Sequence, residues 1–408
     1  MQFTRDFFNL LLDFGDNWRI IGVEPNHIEK IVYLDLEYCG SEYFDPETEQ
    51  AAKLYDHAPK REWRHLDIWD YKSYIRSRVP RVKCADGKVR TIQTGWSDQR
   101  DRHTYSFEIK LIDTLKACKN QTKTAELMTC SFRLVNRIIH RCTQRGMARR
   151  ELDKISFQHI SIDEKSFKKG HKYVTVLSHP RSGCVIDVGE QRDQKSVIRL
   201  LETRFTSQQL VNIKTVSMDM WKSYINAIKT KMANAEIVHD RFHLIKYLNE
   251  AIDKVRKREI QDNEILRNSR YALLKNEENR TKKQQERFEQ VIVSNLEVAK
   301  TYYAKESFKT LFDLHNNDAD AKQNLMDWAQ TFFMYNIKEL NKVILRMLSH
   351  SKGVINALIS NFNNAMAERL NGKIQEIKLT ARGYRTFKNF RSAILFFHGG
   401  LSLYPLNG

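Results

Sequence analysis

Nowhere in the 408 residues is there a run of about 18 uncharged apolar side chains, the length a membrane-crossing helix needs. The chain starts Met-Gln-Phe-Thr-Arg-Asp-Phe-Phe-Asn-Leu-Leu-Leu-Asp, which breaks its apolar residues with acids, unlike a secretory signal. These two absences predict an intracellular protein, cytoplasmic and without a membrane partner. No CxxC pair occurs among the six cysteines at 39, 84, 118, 130, 142 and 184, which therefore read as free structural thiols. Acids are scarce too: 50 Asp and Glu stand against 68 Lys and Arg, a net charge of +18. Such a surplus points to a polyanionic partner, because neutralising phosphates releases condensed counterions and gives affinity irrespective of sequence. Charge alone fits ribosomal, membrane-surface and DNA-binding proteins equally. The length allows two or three domains with cores of their own.

The first hundred residues alternate short strand-like runs (Lys30 to Leu36, Tyr74 to Val82, Val89 to Thr94) with polar turns and hold four of the six tryptophans. They predict a small β-rich module over 1–103. From Thr104, apolar residues at helical spacing (Phe107, Leu111, Ile112, Leu115) open a three-helix unit over 104–150. A short helix from Thr122 to Met128, a Thr-Cys-Ser turn with Ser131 as N-cap, and a longer helix from Phe132 have the spacing of a helix-turn-helix. The longer helix sets Arg133, Arg137, Arg141, Arg145 and Arg149 four residues apart, one slowly winding basic stripe, with Leu134, Ile138 and Ile139 toward the core. Between Lys119 and Arg150 eight Lys or Arg face the single acid Glu126, a net +7 in 32 residues. The stripe is expected to follow the phosphates of double-stranded DNA, giving affinity rather than sequence preference; a solvated basic face is the plainer alternative.

The middle of the chain reads as three strands (Phe157 to Ile162, Lys172 to Ser178, Gly183 to Val188), a helix (Gln194 to Arg204), a strand (Ile213 to Met218), a helix (Trp221 to Met232) and a short strand (Glu236 to Val238). That is the order of an RNase H-like sheet, in which strands one and four are neighbours. Asp163 closes the first and Asp219 the fourth, so their carboxylates should lie side by side; Glu368, on a helical pattern in Asn-Ala-Met-Ala-Glu-Arg-Leu-Asn, can supply a third. Three such groups form a cage for two divalent cations, and hard Mg²⁺ or Mn²⁺ suits oxygen ligands. Two ions so held activate a water or a 3′-hydroxyl and stabilise the leaving oxygen of an in-line phosphodiester displacement. A lone Asp at a strand end is usually a turn residue, so the three acids carry the reading only together with the strand order.

Four motifs then stand in sequence: Ile-Asp-Glu-Lys-Ser-Phe-Lys-Lys-Gly-His-Lys-Tyr-Val-Thr from Ile162, Asp-Met-Trp-Lys-Ser-Tyr at 219 to 224, His-Asp-Arg-Phe-His at 239 to 243, and Ala-Arg-Gly-Tyr-Arg-Thr-Phe at 381 to 387. In order and spacing, over nearly the whole chain, they resemble the ISL-three family of insertion-sequence transposases. The resemblance implies a DDE transposase that binds the terminal inverted repeats of its element and joins them to target DNA, acting in bacteria as a homodimer or higher oligomer at the nucleoid. It matches Asp163, Asp219 and Glu368 to the family's catalytic, metal-holding acids, with a helical insertion over about Leu244 to His350 between the last two. The fold so expected is a multidomain α/β chain: β-rich module (1–103), helix-turn-helix (104–150), and an RNase H-like catalytic domain (151–243 and 351–408) interrupted by the insertion (244–350).

Other residues are more ambiguous. Glu164 should point away from Asp163. Asp240 and His243 could orient the metal-holding acids or contact DNA, though helix capping by Asp240 and a packed histidine fit as well. Trp221 and Tyr224 could stack a base but suit a core better. Lys373, Lys378, Arg382 and Arg385 cluster after Glu368 and suit a DNA path. The N-terminal module departs from the family pattern, where a Cys-rich zinc site is usual. Leu36 stands where a CxxC ending at Cys39 needs a cysteine, and Cys84 has no ligand neighbour, so zinc is not expected; Cys39, His65 and Cys84 would be its remnant. Two other classes compete: a transposase-derived DNA-binding protein without cleavage activity, which the intact acids disfavour, and a host RNase H-like nuclease or resolvase, which leaves the C-terminal motif unexplained.

Overall fold

The computed structural model describes every residue except 1, 169–171, 315–316, 361–364 and 407–408, and the side chains of 2, 153 and 365–368. It divides into two compact units, residues 1–150 with 401–408, and residues 151–400.

In the first unit, α1 (Gln2–Leu11) precedes eight strands: β1 (Trp18–Asn26), β2 (Ile31–Tyr38), β3 (Tyr43–Phe44), β4 (Ala51–His57), β5 (Arg61–Arg64), β6 (Lys72–Ser77), β7 (Pro80–Lys83) and β8 (Val89–Thr91). They form two four-stranded sheets, ordered β1-β2-β6-β5 and β3-β4-β7-β8. The run from Tyr74 to Val82 is thus two strands in different sheets, and Pro80, which has no N–H to donate, opens the second. Trp18, Trp63 and Trp96 meet edge to face in the core. The helix α1 is an addition to the sequence reading: Phe8 enters that core while Asp6 stays outside.

Three helices follow, α2 (Tyr105–Cys118), α3 (Gln121–Leu127) and α4 (Phe132–Ala148). Thr104, Asn120 and Ser131 each cap one, accepting from the amides of Phe107, Lys123 and Leu134. On α4 it is Val135, Ile138, Ile139 and Cys142 that are buried; Leu134 lies partly exposed, one position off the inward face.

The second unit is built on a sheet of β9 (His159–Lys168), β10 (Lys172–Ser178), β11 (Val185–Glu190), β12 (Thr215–Met218) and β13 (Glu236–His239), ordered β11-β10-β9-β12-β13. Antiparallel pairing joins the first three in sequence, and parallel pairing joins β9 to β12 and β12 to β13. Helices α5 (Gln194–Arg204), α6 (Ser207–Asn212) and α7 (Lys222–Lys231) connect the later strands; α6 goes beyond the sequence reading. Asp187 on β11 is buried and holds Arg204 of α5 as well as Arg391, 2.7 Å away. It is a structural acid tying helices to the sheet.

Among the described residues only helices follow β13: α8 (Arg241–Glu259), α9 (Arg270–Leu274), α10 (Lys282–Ile292), α11 (Glu297–Thr310), α12 (Asp318–Phe333), α13 (Lys338–Ser349), α14 (Ser351–Ile359), α15 (Ala365–Thr380) and α16 (Phe387–His398), with short 3₁₀ turns between some. A core running from Leu244 through Phe308, Trp328 and Ile344 to Leu358 holds α8 to α14 together and meets the sheet at Val238. Both carboxylate oxygens of Glu259, at the end of α8, accept from the first amides of α11, at 3.0 and 2.9 Å. Where α14 lies on β13, a Cβ on Gly353 would stand 2.5 Å from the His239 ring, so the close approach needs glycine.

Candidate active site

Asp163 does not end its strand. Its partner β10 runs alongside β9 out to Lys168, and pairing on that side keeps the backbone extended. On the other side β12 stops at Met218, opposite Ile162. Asp219 leaves the sheet there, beside the position where Asp163 points out. Two acids 56 residues apart in sequence reach one place because two parallel neighbours end their shared ladder at the same level.

The two acids face one imidazole. His243 Nε2 lies 3.5 Å from Asp163 Oδ1, and Nδ1 lies 3.5 Å from Asp219 Oδ2. Burial pushes the imidazole down, but the Asp163 hydrogen bond and the charges of both acids more than reverse this, and its pKa stands above the ordinary histidine value. Burial likewise pushes the Asp163 carboxyl up, and His243 and Lys165 together hold it well below the usual carboxylate range. The Lys165 ammonium is 3.0 Å from Asp163 Oδ2, an ion pair without hydrogen-bond geometry, and that buried oxygen has no hydrogen-bond partner among the described residues. Asp163 Oδ1 accepts from the Glu164 amide at 2.7 Å.

Asp219 is held by groups the sequence reading does not single out. Its Oδ1 accepts from the Met220 amide at 2.6 Å, and the Tyr247 hydroxyl donates across both oxygens, at 2.6 and 2.7 Å. Burial and the Asp219 hydrogen bond push the Tyr247 phenol up, so it keeps its proton. Arg346 of α13 donates to Tyr247 Oη at 2.9 Å and to the Met220 carbonyl at 3.1 Å. His243 and Tyr247 are one turn apart on α8, a spacing visible in sequence; Arg346, 99 residues beyond Tyr247, looks there like any other arginine.

A small cleft at this point is lined by Asp163, Asp219, Asp240, His243, Leu370 and Asn371, among others. Asp240 caps α8, accepting from the Phe242 amide at 2.8 Å, so capping accounts for it. Glu368 lies in α15, three residues before Asn371; its side chain is outside the described residues. Among the described residues no three His, Cys, Asp or Glu side chains group as a metal site; Asp163 and Asp219 form a pair of carboxylates. The donors fit a hard divalent cation even so: both are carboxylates, they converge on one point beside the His243 ring, and a buried oxygen of Asp163 lacks a hydrogen bond.

The remaining candidates separate. Glu164 pairs with Arg192 at 2.6 Å, and Arg192 lies over the rings of Tyr173 and Trp221. Tyr224 is buried with its hydroxyl 2.9 Å from Thr175 Oγ1, a core residue. Lys378 donates to the Ser166 carbonyl at 2.6 Å, while Lys373, Arg382 and Arg385 have exposed side chains. The stripe on α4 divides: Arg133 and Arg137 are exposed, but Arg141 pairs with Asp101 and buried Glu108, and Arg145 reaches Glu108 at 2.7 Å. Glu108 comes from α2, and its need for counter-charges in a dry site turns that half of the stripe inward. Of the suggested zinc remnant, Cys39 is exposed, Cys84 is buried, and His65 faces Thr104 Oγ1 at 2.9 Å; the three do not gather.

Residues 160–394 match the model of a family described as a transposase, the ISL-three DDE type. The chain is 24% identical over 405 residues to the transposase for insertion sequence element IS1557 of Mycobacterium tuberculosis, covering 92% of this chain and 87% of that protein. With the transposase for insertion sequence element IS1001 of Bordetella parapertussis it shares 26% identity over 339 residues, 81% of this chain and 82% of the relative. A solved structure, the Drosophila P element transposase strand transfer complex, is similar at TM-score 0.35 and 9% identity, covering 73% of this chain and 93% of that one, a likeness too slight to argue from. No described helix is long and apolar enough to cross a membrane.

Proposed function

Since the chain belongs to the ISL-three family of DDE transposases, we propose that it binds the terminal inverted repeats of an insertion sequence and catalyses strand cleavage and strand transfer there, using Asp163, Asp219 and Glu368. The observation that carries this reading is the meeting of Asp163 and Asp219 on the two nitrogens of His243, at the level where β9 and β12 part. The sheet order, with three antiparallel strands followed by two parallel ones, supports an RNase H-like catalytic domain. Asn371, one turn past Glu368 on α15, lines the same cleft and supports Glu368 as the third acid.

In this reading the three acids would hold two Mg²⁺ or Mn²⁺ ions, and such ions would supply activation of a water or 3′-hydroxyl and stabilisation of the leaving oxygen. The chain's own residues prepare the place. Met220 and Tyr247 fix the Asp219 carboxylate, and the His243 imidazole stands between the two acids. Helices α3 and α4 act as the helix-turn-helix, with Arg133 and Arg137 on phosphates of double-stranded DNA. Lys373, Arg382 and Arg385 line the path of the strand to be cut. The protein works as a homo-oligomer on DNA at the nucleoid.

Glu368→Gln tests the reading, because it nearly preserves shape and deletes the charge. With Mg²⁺ or Mn²⁺ the native chain should nick and join strands at the element's ends, and the variant should bind those ends with native affinity yet lose joining. Joining at the native rate by the variant would falsify the assignment of Glu368.

A further inference from the structure

Both oxygens of Asp219 lie within hydrogen-bonding reach of a single phenol, which itself accepts from a guanidinium. Arg346 is stacked as well as bonded: its guanidinium carbon is 4.0 Å from the centre of the Tyr247 ring. It also donates to the carbonyl of Met220, the residue that follows the acid. Asp219 is therefore held on two sides, its side chain by Tyr247 and the adjoining backbone by Arg346. Neither residue belongs to the sheet: Tyr247 is on α8 and Arg346 on α13, two helices that pack on each other.

We propose that Tyr247 and Arg346 are positioning residues for the reaction, a relay through which the helices between β13 and α14 set the orientation of the Asp219 carboxylate for a divalent cation. This rests on the reading of Asp219 as a metal-holding acid. The chemistry favours a phenol in that place. A carboxylate at the end of a strand turns freely about its side-chain bonds, and one donor spanning both oxygens fixes its plane. A phenol is neutral, so it does so without cancelling the charge a cation needs, whereas an arginine in direct contact would cancel it. Among the described residues Arg346 makes no ion pair with Asp219; it acts through the phenol oxygen, polarising the O–H toward the acid. Groups that orient a ligating side chain typically change metal affinity by about 10- to 100-fold when removed.

Free Mn²⁺, counted by electron paramagnetic resonance during titration of the full chain without DNA, reads the relay apart from catalysis. Asp219→Asn should abolish the tight fraction. Tyr247→Phe removes one hydroxyl and should weaken Mn²⁺ binding by about 10- to 100-fold. Arg346→Gln should weaken it in the same direction, and the double variant should be little worse than Tyr247→Phe, because linked residues are non-additive. Melting followed by circular dichroism supplies the second measurement: the metal-free Tm of Tyr247→Phe should stay near native while the Mn²⁺-induced rise shrinks. Native or tighter Mn²⁺ affinity in Tyr247→Phe, with loss in Asp219→Asn, overturns the relay alone. Unchanged binding in Asp219→Asn overturns the acid assignment, and the relay with it. If Tyr247→Phe does not fold, Arg346→Gln decides in the same titration.

Discussion

At the scale of single residues, burial decides what the charged and polar groups do. His65 and His239 are buried, and desolvation holds both down to about 4. An unfolded histidine titrates near 6.5. Between those values the unfolded chain binds protons that the folded chain refuses. Stability is therefore full above about 6.5 and falls as pH drops toward 4, by up to about 1.4 kcal/mol per pH unit for each histidine. Calorimetry should find lower melting at pH 5 than at pH 7, with His65→Gln reducing the difference; equal melting at both would refute the burial argument. The meeting of Asp163 and Asp219 was legible at this scale, because a carboxylate that closes an apolar run stands out against its neighbours. Tyr247 and Arg346 were not, since what marks them is a contact made across 99 residues rather than a local pattern.

At the scale of elements, periodicity announced the helices and their caps but not their partners. The arginines of α4 recur every fourth residue as expected, yet Glu108 and Asp101 recruit Arg141 and Arg145 into the protein. The stripe should therefore act as two halves. Changing Arg133 and Arg137 to Ala should lower the log-log salt slope of DNA binding by up to about 0.9 per lost contact while leaving the melting temperature alone. Arg145→Ala should instead destabilise the first unit, by an amount of the order of 3 kcal/mol, since it leaves buried Glu108 short of charge. Equal slopes in native protein and the Arg133 and Arg137 variant would return that half to solvent. The strand β9 teaches a similar lesson. Its polar stretch past Asp163 reads as a strand end, and only the long antiparallel ladder with β10 shows why the extended backbone continues.

At the scale of the whole molecule, the two units are interleaved in sequence: residues 401–408 return to the first unit after the second is complete. The segment is anchored there. Leu403 is buried, Arg145 donates to its carbonyl at 3.0 Å, Arg149 donates to the Tyr404 carbonyl at 2.6 Å, and the Tyr404 hydroxyl donates to Asp113 at 2.6 Å. A chain ended at Gly400 should lose about 2 to 5 kcal/mol from the first unit, the range for emptying one leucine-sized core site, and its melting should show that unit unfolding first. Nothing in the composition of Leu-Ser-Leu-Tyr-Pro-Leu signals this return, because eight residues have no periodicity that names a distant partner.

That return imposes an order on biosynthesis. The ribosome releases the three helices of the first unit long before it has made Leu403 and Tyr404, so α4 waits with Arg145 and Arg149 short of their last acceptors until the carboxyl end emerges. A polypeptide abandoned midway through translation carries the basic helix without its clasp. In such a chain the inward half of the stripe, Arg145 and Arg149, is left incomplete while the exposed half, Arg133 and Arg137, is already in place.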